Sequence, residues 1–199
     1  MAEKGIRLVV GLGNPGPKYE STRHNVGYRL VDALAARNDG RFRIESRFHG
    51  FLCRLLVSGQ DLRLLKPMTF MNRSGQSVAA VVHYFEIAPE QVLIAHDELD
   101  LPVGTLRLKQ GGGHAGHNGL RDIIKALDTQ DFWRLRIGID HPEDRSQVVN
   151  YVLSRASGDD EGRIRDALDQ AERSLSEVLA GEFQLAMNRL HGNRCATKP

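Results

Sequence analysis

The pattern of apolar and polar positions alternates between short apolar runs and apolar residues at helical spacing. Short runs bounded by Gly, Pro, Asn or Asp predict buried strands, whereas recurrence at i, i+3, i+4 and i+7 predicts amphipathic helices. The first helix has Ser21 or Thr22 as its expected N-cap. Strands are predicted at 6–10, 51–57, 62–65, 92–95, 105–108 and 134–139, and helices at about 21–38, 78–85, 120–127, 148–153 and 164–178.

Strands that alternate with helices are typical of α/β domains. We therefore expect a three-layer α/β/α fold, in which a mixed, mostly parallel central sheet carries helices on both faces. Residues 1–190 are expected to form a single domain, and residues 191–199 a polar, flexible tail. In open sheets of this class, ligands bind at the carboxyl ends of the strands. This rule points to Asn14, to Asp97 and to the glycine-rich segment 111–119.

Composition limits the class of protein further. The chain has 199 residues, of which 41% are hydrophobic and 26% charged, as in an ordinary globular domain with a sizeable core. No apolar run approaches the ~20 residues that cross a bilayer, and the start of the chain does not resemble a signal peptide. Two distant cysteines, Cys53 and Cys195, form no disulfide framework. We expect a cytoplasmic protein without membrane contact. Because no coiled-coil pattern is present, we expect a monomer.

Charge is distributed unevenly along the chain, although the formal net charge is only +2. Residues 1–72 contain twelve Lys or Arg against six Asp or Glu, and residues 158–182 contain eight acids against three bases. Such a division is consistent with one basic face for a polyanion and one acidic face turned away from it. Chance patchiness of a protein surface explains it equally well.

The segment 11–16, Gly-Leu-Gly-Asn-Pro-Gly, matches the dinucleotide-binding pattern G-x-G-x-x-G and directly follows a predicted strand. In that motif a helix opens at the third glycine, whereas here Pro17, Lys18 and Tyr19 intervene. The acidic residue expected about 20 positions later, at the end of a second strand, is also missing. A rigid loop that presents the Asn14 amide is the better interpretation.

Metal and nucleophile chemistry are weakly supported. His114 and His117 lie in a glycine-rich segment that is not helical, and no cysteine or carboxylate pair nearby completes a ligand set. The chain contains no Gly-x-Ser-x-Gly motif, and Cys53 lies within an apolar strand, where packing is its expected role. General-base catalysis remains. His24 and Asp97 could form a pair in which the carboxylate fixes the imidazole tautomer that accepts a proton from water.

Five segments, read together, resemble the bacterial-type peptidyl-tRNA hydrolases. They occur in the family's order, and the resemblance covers roughly residues 6–190. The segments are Gly-Leu-Gly-Asn-Pro-Gly-Pro-Lys-Tyr-Glu-Ser-Thr-Arg-His-Asn-Val-Gly from residue 11, Lys-Pro-Met-Thr-Phe-Met-Asn-Arg-Ser-Gly from residue 66, His-Asp-Glu-Leu-Asp-Leu-Pro-Val-Gly from residue 96, Gly-Gly-Gly-His-Ala-Gly-His-Asn-Gly-Leu from residue 111, and Arg-Leu-Arg-Ile-Gly-Ile from residue 134.

The resemblance implies an esterase, without cofactor or metal, that cuts the bond between a peptide and the 3′ ribose of tRNA. It implies that His24 is the general base, that Asp97 orients it, and that Asn14 helps to distinguish a blocked α-amino group from a free one. The side-chain oxygen of Asn14 can accept the peptide N–H of a blocked residue, whereas a free ammonium presents a charged and more strongly hydrated group. Asn72 and Asn118 are also suited to orient the attacking water. By resemblance the substrate-contacting or site-lining residues are Tyr19, Phe70, Met71, Asn72, His117 and Asn118.

The tRNA partner requires phosphate contacts that carry little sequence information. Arg107 and Lys109 suit this role because they alternate outward on a predicted strand; Lys125 and Arg136 are weaker candidates. The family commonly has lysine where Arg107 stands, a change that preserves charge but alters geometry. A non-catalytic RNA-binding protein of the same fold, like some plant organelle relatives, is the alternative, although such a protein would not need His24 and Asp97.

Overall fold

The computed structural model describes residues 5–192, which form seven strands and seven α-helices. The strands are β1 (Leu8–Gly11), β2 (Arg43–Glu45), β3 (Gly50–Val57), β4 (Gln60–Pro67), β5 (Val92–Glu98), β6 (Leu106–Gln110) and β7 (Trp133–Gly138). The helices are α1 (Val26–Arg37), α2 (Ser74–Tyr84), α3 (Asn118–Leu127), α4 (Val148–Val152), α5 (Gly158–Arg173), α6 (Leu175–Leu179) and α7 (Phe183–Gly192).

All seven strands belong to one sheet in the order β2-β3-β4-β1-β5-β7-β6. The centre is parallel, since β1 pairs with β4 and β5, and β5 pairs with β7. The antiparallel pairs are β2–β3, β3–β4 and β6–β7. Apolar residues of α2 and α3 pack on one face of the sheet, and those of α1, α5, α6 and α7 pack on the other. The predicted three-layer α/β/α fold with a mixed, mostly parallel sheet is confirmed.

The predicted start of the first helix is wrong. A 3-10 turn, Arg23–Asn25, precedes α1, and Thr22 does not cap it through its side chain. The Thr22 hydroxyl instead donates to the carbonyl of Tyr19 at 2.8 Å, because the preceding loop turns back on itself. His24 therefore lies in a tight turn at the mouth of α1.

Other differences concern the edges of the fold. Strand β2 was not predicted, because its three residues are largely exposed and carry no alternating apolar pattern. The predicted helix 164–178 is interrupted at Ser174, which separates α5 from α6. Of the predicted tail, His191 and Gly192 form the end of α7, and 193–199 lie outside the described residues. Within residues 5–192, no helix combines the length and apolar character needed to span a membrane.

Two glycines allow β1, β5 and α1 to approach one another closely. A Cβ atom on Gly11 would lie 2.2 Å from the carbonyl oxygen of Gly27, and one on Gly27 would lie 2.3 Å from that of Ala95. Side chains at these positions would force the backbones apart. The first glycine of the segment 11–16 therefore serves backbone packing, and the loop after β1 lies directly against the turn that carries His24.

Candidate active site

The parallel pairing of β1 with β5 brings the predicted site residues to one edge of the sheet. Gly11 lies opposite Ala95, so Asn14 and Asp97 both follow at the carboxyl ends of adjacent strands. The 3-10 turn before α1 places His24 at the same edge. Asn14 and Asp97 are buried and His24 is partly exposed. Three residues from distant parts of the sequence thus meet, as the sequence predicted.

His24 and Asp97 form a close pair. The His24 Nδ1 atom lies 2.8 Å from Oδ1 and 2.9 Å from Oδ2 of Asp97. Nδ1 therefore carries the proton and donates it to the carboxylate, which leaves the lone pair on Nε2. His24 lines the main cleft of the protein. The ring is thus held in the tautomer that a general base requires.

A second histidine, His117, donates to the same carboxylate, with Nε2 at 3.1 Å from Asp97 Oδ1. Its Nδ1 atom accepts the backbone N–H groups of Gly119 and Leu120 at 3.1 and 3.3 Å, and so caps α3. A nitrogen that accepts two N–H groups carries no proton, so the proton of neutral His117 is on Nε2. Asp97 consequently receives N–H donors from two imidazoles.

The electrostatics of the site follow from this arrangement. Burial alone would lower the pKa of His24, but the charge of Asp97 and its hydrogen bond outweigh burial and raise that pKa above its ordinary value. Burial opposes ionisation of Asp97, yet His24 and His117 together hold the pKa of this carboxyl well below its usual range. Burial lowers the pKa of the neighbouring His96 to about 3, so His96 remains neutral. Asp97 is therefore a buried carboxylate that the rings of both His24 and His117 contact.

Asn14 is held in one orientation by its neighbours. Its backbone N–H donates to Asn25 Oδ1, and Asn25 Nδ2 donates to its carbonyl, both at 2.9 Å. Its Oδ1 accepts the backbone N–H of Met71 at 2.9 Å. Since Oδ1 is bound to Met71, the amide presents Nδ2 as its remaining group. The side chain therefore offers the cleft a hydrogen-bond donor.

The glycine-rich segment 111–119 is held by hydrogen bonds from the buried Arg134, which is only 3% exposed. Its guanidinium donates to the carbonyl of Gly113 at 2.6 Å and also to the carbonyl of Gly112. Burial lowers the pKa of Arg134. These bonds fix a segment that otherwise has little side-chain packing, and they place His117 and Asn118 over the carboxyl edge.

The main cleft has a volume of about 420 Å³. Five predicted site residues line it: Asn14, His24, Asp97, His117 and Asn118. His114, Ala115 and Gly116 also line it and belong to the segment 111–119 that was expected to bind a ligand. The lining residues that were not predicted are Glu98, Leu99, Asp100, His141, Val148, Val149, Val152 and Leu153.

One wall of the cleft is apolar and comes from α4 and the residue after it. Val149 is 66% exposed and Leu153 is 38% exposed, so both offer apolar surface to a ligand. Arg23 ties this wall to the turn that carries His24, since its guanidinium donates to Ser154 Oγ at 2.8 Å and to the carbonyl of Arg155 at 2.6 Å. The sequence signal that could have indicated this apolar wall is the apolar pattern of residues 148–153 within an otherwise polar stretch.

The other predicted substrate-contacting residues lie outside this cleft. Phe70 and Asn72 are exposed, Met71 is buried, and Tyr19 is half-buried in the loop before His24. Phe70 is at the N-cap of the 3-10 turn Met71–Arg73, which is joined to the site through the Met71–Asn14 hydrogen bond. None of the four lines the cleft, and Met71 is joined to the site by its hydrogen bond to Asn14.

The basic candidates Arg107 and Lys109 lie on β6, the edge strand. Arg107 pairs in register with Arg136 and Lys109 pairs with Arg134, while the alternate residues of β6 and β7 belong to the core on the α1 side. These four cations therefore point to the face of the sheet that carries α2 and α3. Arg136 is bound to Glu98 at 2.9 Å, and Arg134 donates to the carbonyls of Gly112 and Gly113. Arg107 and Lys109 form no ion pair within residues 5–192.

His24, Asp97 and His117 also form a possible ligand set for a metal ion, with donor atoms within 4.8 Å of one another. This set differs from the histidine pair considered in the sequence, since it contains His117 but not His114. A metal ion on His117 Nε2 would require the ring proton to move to Nδ1, which accepts the N–H groups that cap α3. The donor set therefore fits a hydrogen-bonded relay better than metal ligation.

An imidazole bound to a buried carboxylate, beside amide side chains in an open cleft of an α/β domain, is the arrangement that general-base hydrolysis requires. The sequence matches the family described as peptidyl-tRNA hydrolase over residues 8–198. The chain belongs to the peptidyl-tRNA hydrolase family, so the assignment made from the sequence is confirmed.

Individual relatives agree along nearly the whole length. The peptidyl-tRNA hydrolase of Halorhodospira halophila is 52% identical over 189 residues, covering 95% of this chain and 97% of its own. That of Aromatoleum aromaticum is 50% identical over 198 residues and covers both chains fully. The crystal structure of peptidyl-tRNA hydrolase from Acinetobacter baumannii superimposes with a TM-score of 0.94 at 44% identity, over 98% of each chain.

Proposed function

We propose that this protein hydrolyses the ester bond between a peptide and the 3′ ribose of tRNA, with His24 as general base. The observation that carries the proposal is the His24–Asp97 pair, in which Nδ1 is bound by both carboxylate oxygens and Nε2 is left to accept a proton. Membership in the peptidyl-tRNA hydrolase family supports the substrate and the reaction class.

The reaction needs a base, a water and stabilisation of an oxyanion. A water bound at His24 Nε2 gives up a proton as its oxygen attacks the ester carbonyl, and Asp97 stabilises the imidazolium that forms. The tetrahedral oxyanion requires donors that do not reorganise, and Asn118 lines the cleft in a position to supply one. Collapse expels the ribose oxygen, which takes the proton back from His24. The products are a free peptide and a free tRNA.

Asn14 supports selection of a blocked α-amino group, but through a different atom from the one that the sequence suggested. There we expected the amide oxygen to accept the peptide N–H; with Oδ1 bound to Met71, Nδ2 is the available group. A donor at this position attracts the acyl carbonyl of a blocked residue and repels a free ammonium, which has only donors. We propose that this contrast contributes the selectivity.

Asn14→Asp is expected to narrow the preference for blocked over free aminoacyl-tRNA, because a carboxylate keeps the bond to Met71 but replaces the donor with a negative acceptor. A mismatched hydrogen-bonding group costs about 1–3 kcal/mol. The measurement is the ratio of kcat/KM for N-acetyl-aminoacyl-tRNA and aminoacyl-tRNA. Asn188→Asp, an exposed amide on α7, is the matched control. An unchanged ratio would remove Asn14 from substrate selection.

We propose that Arg107 and Lys109 bind tRNA phosphates along the edge strand β6. Arg107→Ala is expected to raise KM most at low salt, where the phosphate contact contributes most affinity, and to approach the wild-type KM as the salt concentration rises. Turnover at saturation should be nearly unchanged, because a phosphate contact adds affinity and not chemistry. The check is KM for peptidyl-tRNA over a salt series. A KM equal to that of the wild type at every salt concentration would exclude Arg107 from the tRNA path.

The proposed function is tested with N-acetyl-aminoacyl-tRNA beside unblocked aminoacyl-tRNA in the presence of a chelator. Hydrolysis of the blocked substrate alone supports the reaction, its selectivity and its independence of metal. A folded protein that binds tRNA and cuts neither substrate would support the non-catalytic RNA-binding alternative. Retention of His24, Asp97, Asn14, Asn72 and Asn118 favours the enzyme, since a binding protein needs no base.

We further propose that residues 1–190 act as one domain and that the protein works as a monomer in the cytoplasm. Supporting this, one sheet joins the elements from β1 to β7, and α7 packs against β6. A mass of about 22 kDa by light scattering would agree with a monomer, given 22.2 kDa for the chain.

A further inference from the structure

A second cleft lies between α2 and α3, with a volume of about 390 Å³. It is lined by Arg73, Gln76, Asp122, Lys125 and Ala126, and we call it the α2–α3 groove. The two helices meet closely at its base, where Asp122 Oδ2 accepts the backbone N–H of Gly75 at 2.7 Å. Among residues 5–192, Asp122 is the only carboxylate that lines the groove, and one of its oxygens is already bound.

The groove is basic, and its cations are free. Arg121 lies one helical turn before Lys125 and shares its side of α3. Arg73, Arg121 and Lys125 are exposed, and within residues 5–192 none of the three side chains forms an ion pair. By contrast, Arg136 on the same face of the sheet is bound to Glu98, and Lys66 on the opposite face is bound to Asp32 of α1. Unpaired cations beside an active site favour an anionic ligand.

The groove is continuous with the active site. Met71 donates its backbone N–H to Asn14, and Arg73 follows two residues later at the end of the same 3-10 turn. Phe70, at the start of that turn, is 58% exposed. A surface therefore leads from Asn14 past an exposed aromatic ring to a group of cations, the combination that binds single-stranded nucleic acid.

The opposite end of the active site does not suit phosphates. There the cleft is lined by the carboxylates of Glu98 and Asp100 and by the apolar residues Val149 and Leu153. A polyanion placed at that end would meet the carboxylate of Asp100 and would gain nothing from the valine and leucine side chains, while the cation beside Glu98, Arg136, is already paired with it. The peptide of the substrate fits that end, and the RNA must leave the reacting ester in another direction.

We propose that Arg73, Arg121 and Lys125 bind the backbone phosphates of the unpaired 3′ end of the RNA next to the reacting ester. This inference rests on the proposed function and extends it. The groove belongs to the same face of the sheet as Arg107 and Lys109, but it contacts a different part of the substrate. Edge-strand cations serve the body of the tRNA, whereas the groove serves its last nucleotides.

The test compares two substrates that carry the same N-acetyl-aminoacyl ester: intact tRNA and a short single-stranded RNA with the 3′-terminal sequence of tRNA. The double variant Arg73→Gln with Lys125→Gln is expected to raise KM for both substrates and to leave kcat unchanged. The slope of log KM against log salt should fall by about 0.7 for each lost phosphate contact. The control Arg165→Gln removes an exposed charge from α5, on the opposite face of the sheet, and should change neither KM nor the salt slope.

Several results would overturn the inference. One is a KM of the double variant for the short RNA that equals that of the wild type, whether or not its KM for intact tRNA rises. Arg73→Lys keeps the charge and should restore most of the affinity; a loss as large as that of Arg73→Gln would assign the effect to packing instead of charge. Failure of the wild type to cut either ester would contradict the proposed function itself, and the two failures are thus distinguishable.

Discussion

His24→Ala is expected to lower kcat by about 10²–10⁴-fold, the usual contribution of a general base. KM should change little, because the hydrogen bonds of the His24 side chain go to Asp97 and none is required to hold substrate. The substitution removes a side chain from the wall of an open cleft and leaves the apolar core intact, so the fold should persist. Hydrolysis of N-acetyl-aminoacyl-tRNA measures kcat and KM, and circular dichroism on the same preparation shows whether the fold persists.

A matched control separates loss of the base from loss of any histidine. His83 is exposed on α2 and lies outside the cleft, so His83→Ala should retain wild-type activity. A small residual rate in His24→Ala is expected, since oriented water and amide donors still act without a base. Near-full activity of a folded His24→Ala protein would show that another group activates the water.

Residue patterns were sufficient to predict the centre of the fold and the meeting of the site residues. Short apolar runs gave the strands of the sheet, and adjacent parallel strands necessarily place their carboxyl ends together. The convergence of Asn14 and Asp97 therefore followed from periodicity. His24 was harder, because it depends on a tight turn before α1, and the motif resemblance, not the periodicity, singled it out.

The roles of individual atoms could not be predicted in the same way. The orientation of the Asn14 amide depends on the N–H of Met71, 57 residues away in sequence, and its backbone is held by Asn25. Periodicity carries no information about such long-range hydrogen bonds. The proposed discrimination of blocked substrates changed from an accepting oxygen to a donating nitrogen for this reason.

Two arginines show a related limit. Arginine is mostly exposed in proteins, so a sequence reading assigns it to the surface. Arg23 and Arg134 are only 7% and 3% exposed, because their guanidinium groups satisfy backbone carbonyls of loops around the site. Their function of fixing the α4 wall and the glycine-rich segment becomes visible only when those carbonyls are located.

Asp97→Asn is expected to have the second largest effect, and it should change the pH profile as well as the rate. The amide oxygen can still accept from His24 and His117 at the Oδ1 position, but the amide nitrogen then faces His24 Nδ1, 2.9 Å from the atom it replaces. One charged hydrogen bond, about 1.5–3 kcal/mol, is lost, which corresponds to about a 10- to 150-fold lower kcat. The loss should remain below that of His24→Ala, because the base is still present.

The direction of the pH shift follows from the pKa of His24. A general base acts in its neutral form, so activity falls as the pH drops through the pKa of the base. In the wild type Asp97 raises that pKa above 6.5, and the acid limb of kcat/KM should therefore lie above pH 6.5. Without the carboxylate charge, burial is left to lower the pKa, so the acid limb of Asp97→Asn should move to lower pH.

The displacement of the acid limb is measured in a pH series of kcat/KM for the wild type, Asp97→Asn and the exposed control Asp169→Asn. A lower plateau with the acid limb displaced to lower pH would show that Asp97 both orients the base and sets its proton affinity. An acid limb that stays in place would mean that the titrating group is not His24 paired with Asp97. Removing the carboxylate partner of His24 must change the pKa at which His24 becomes protonated. A lower plateau of kcat/KM with an unmoved acid limb would therefore point to disturbed binding of substrate.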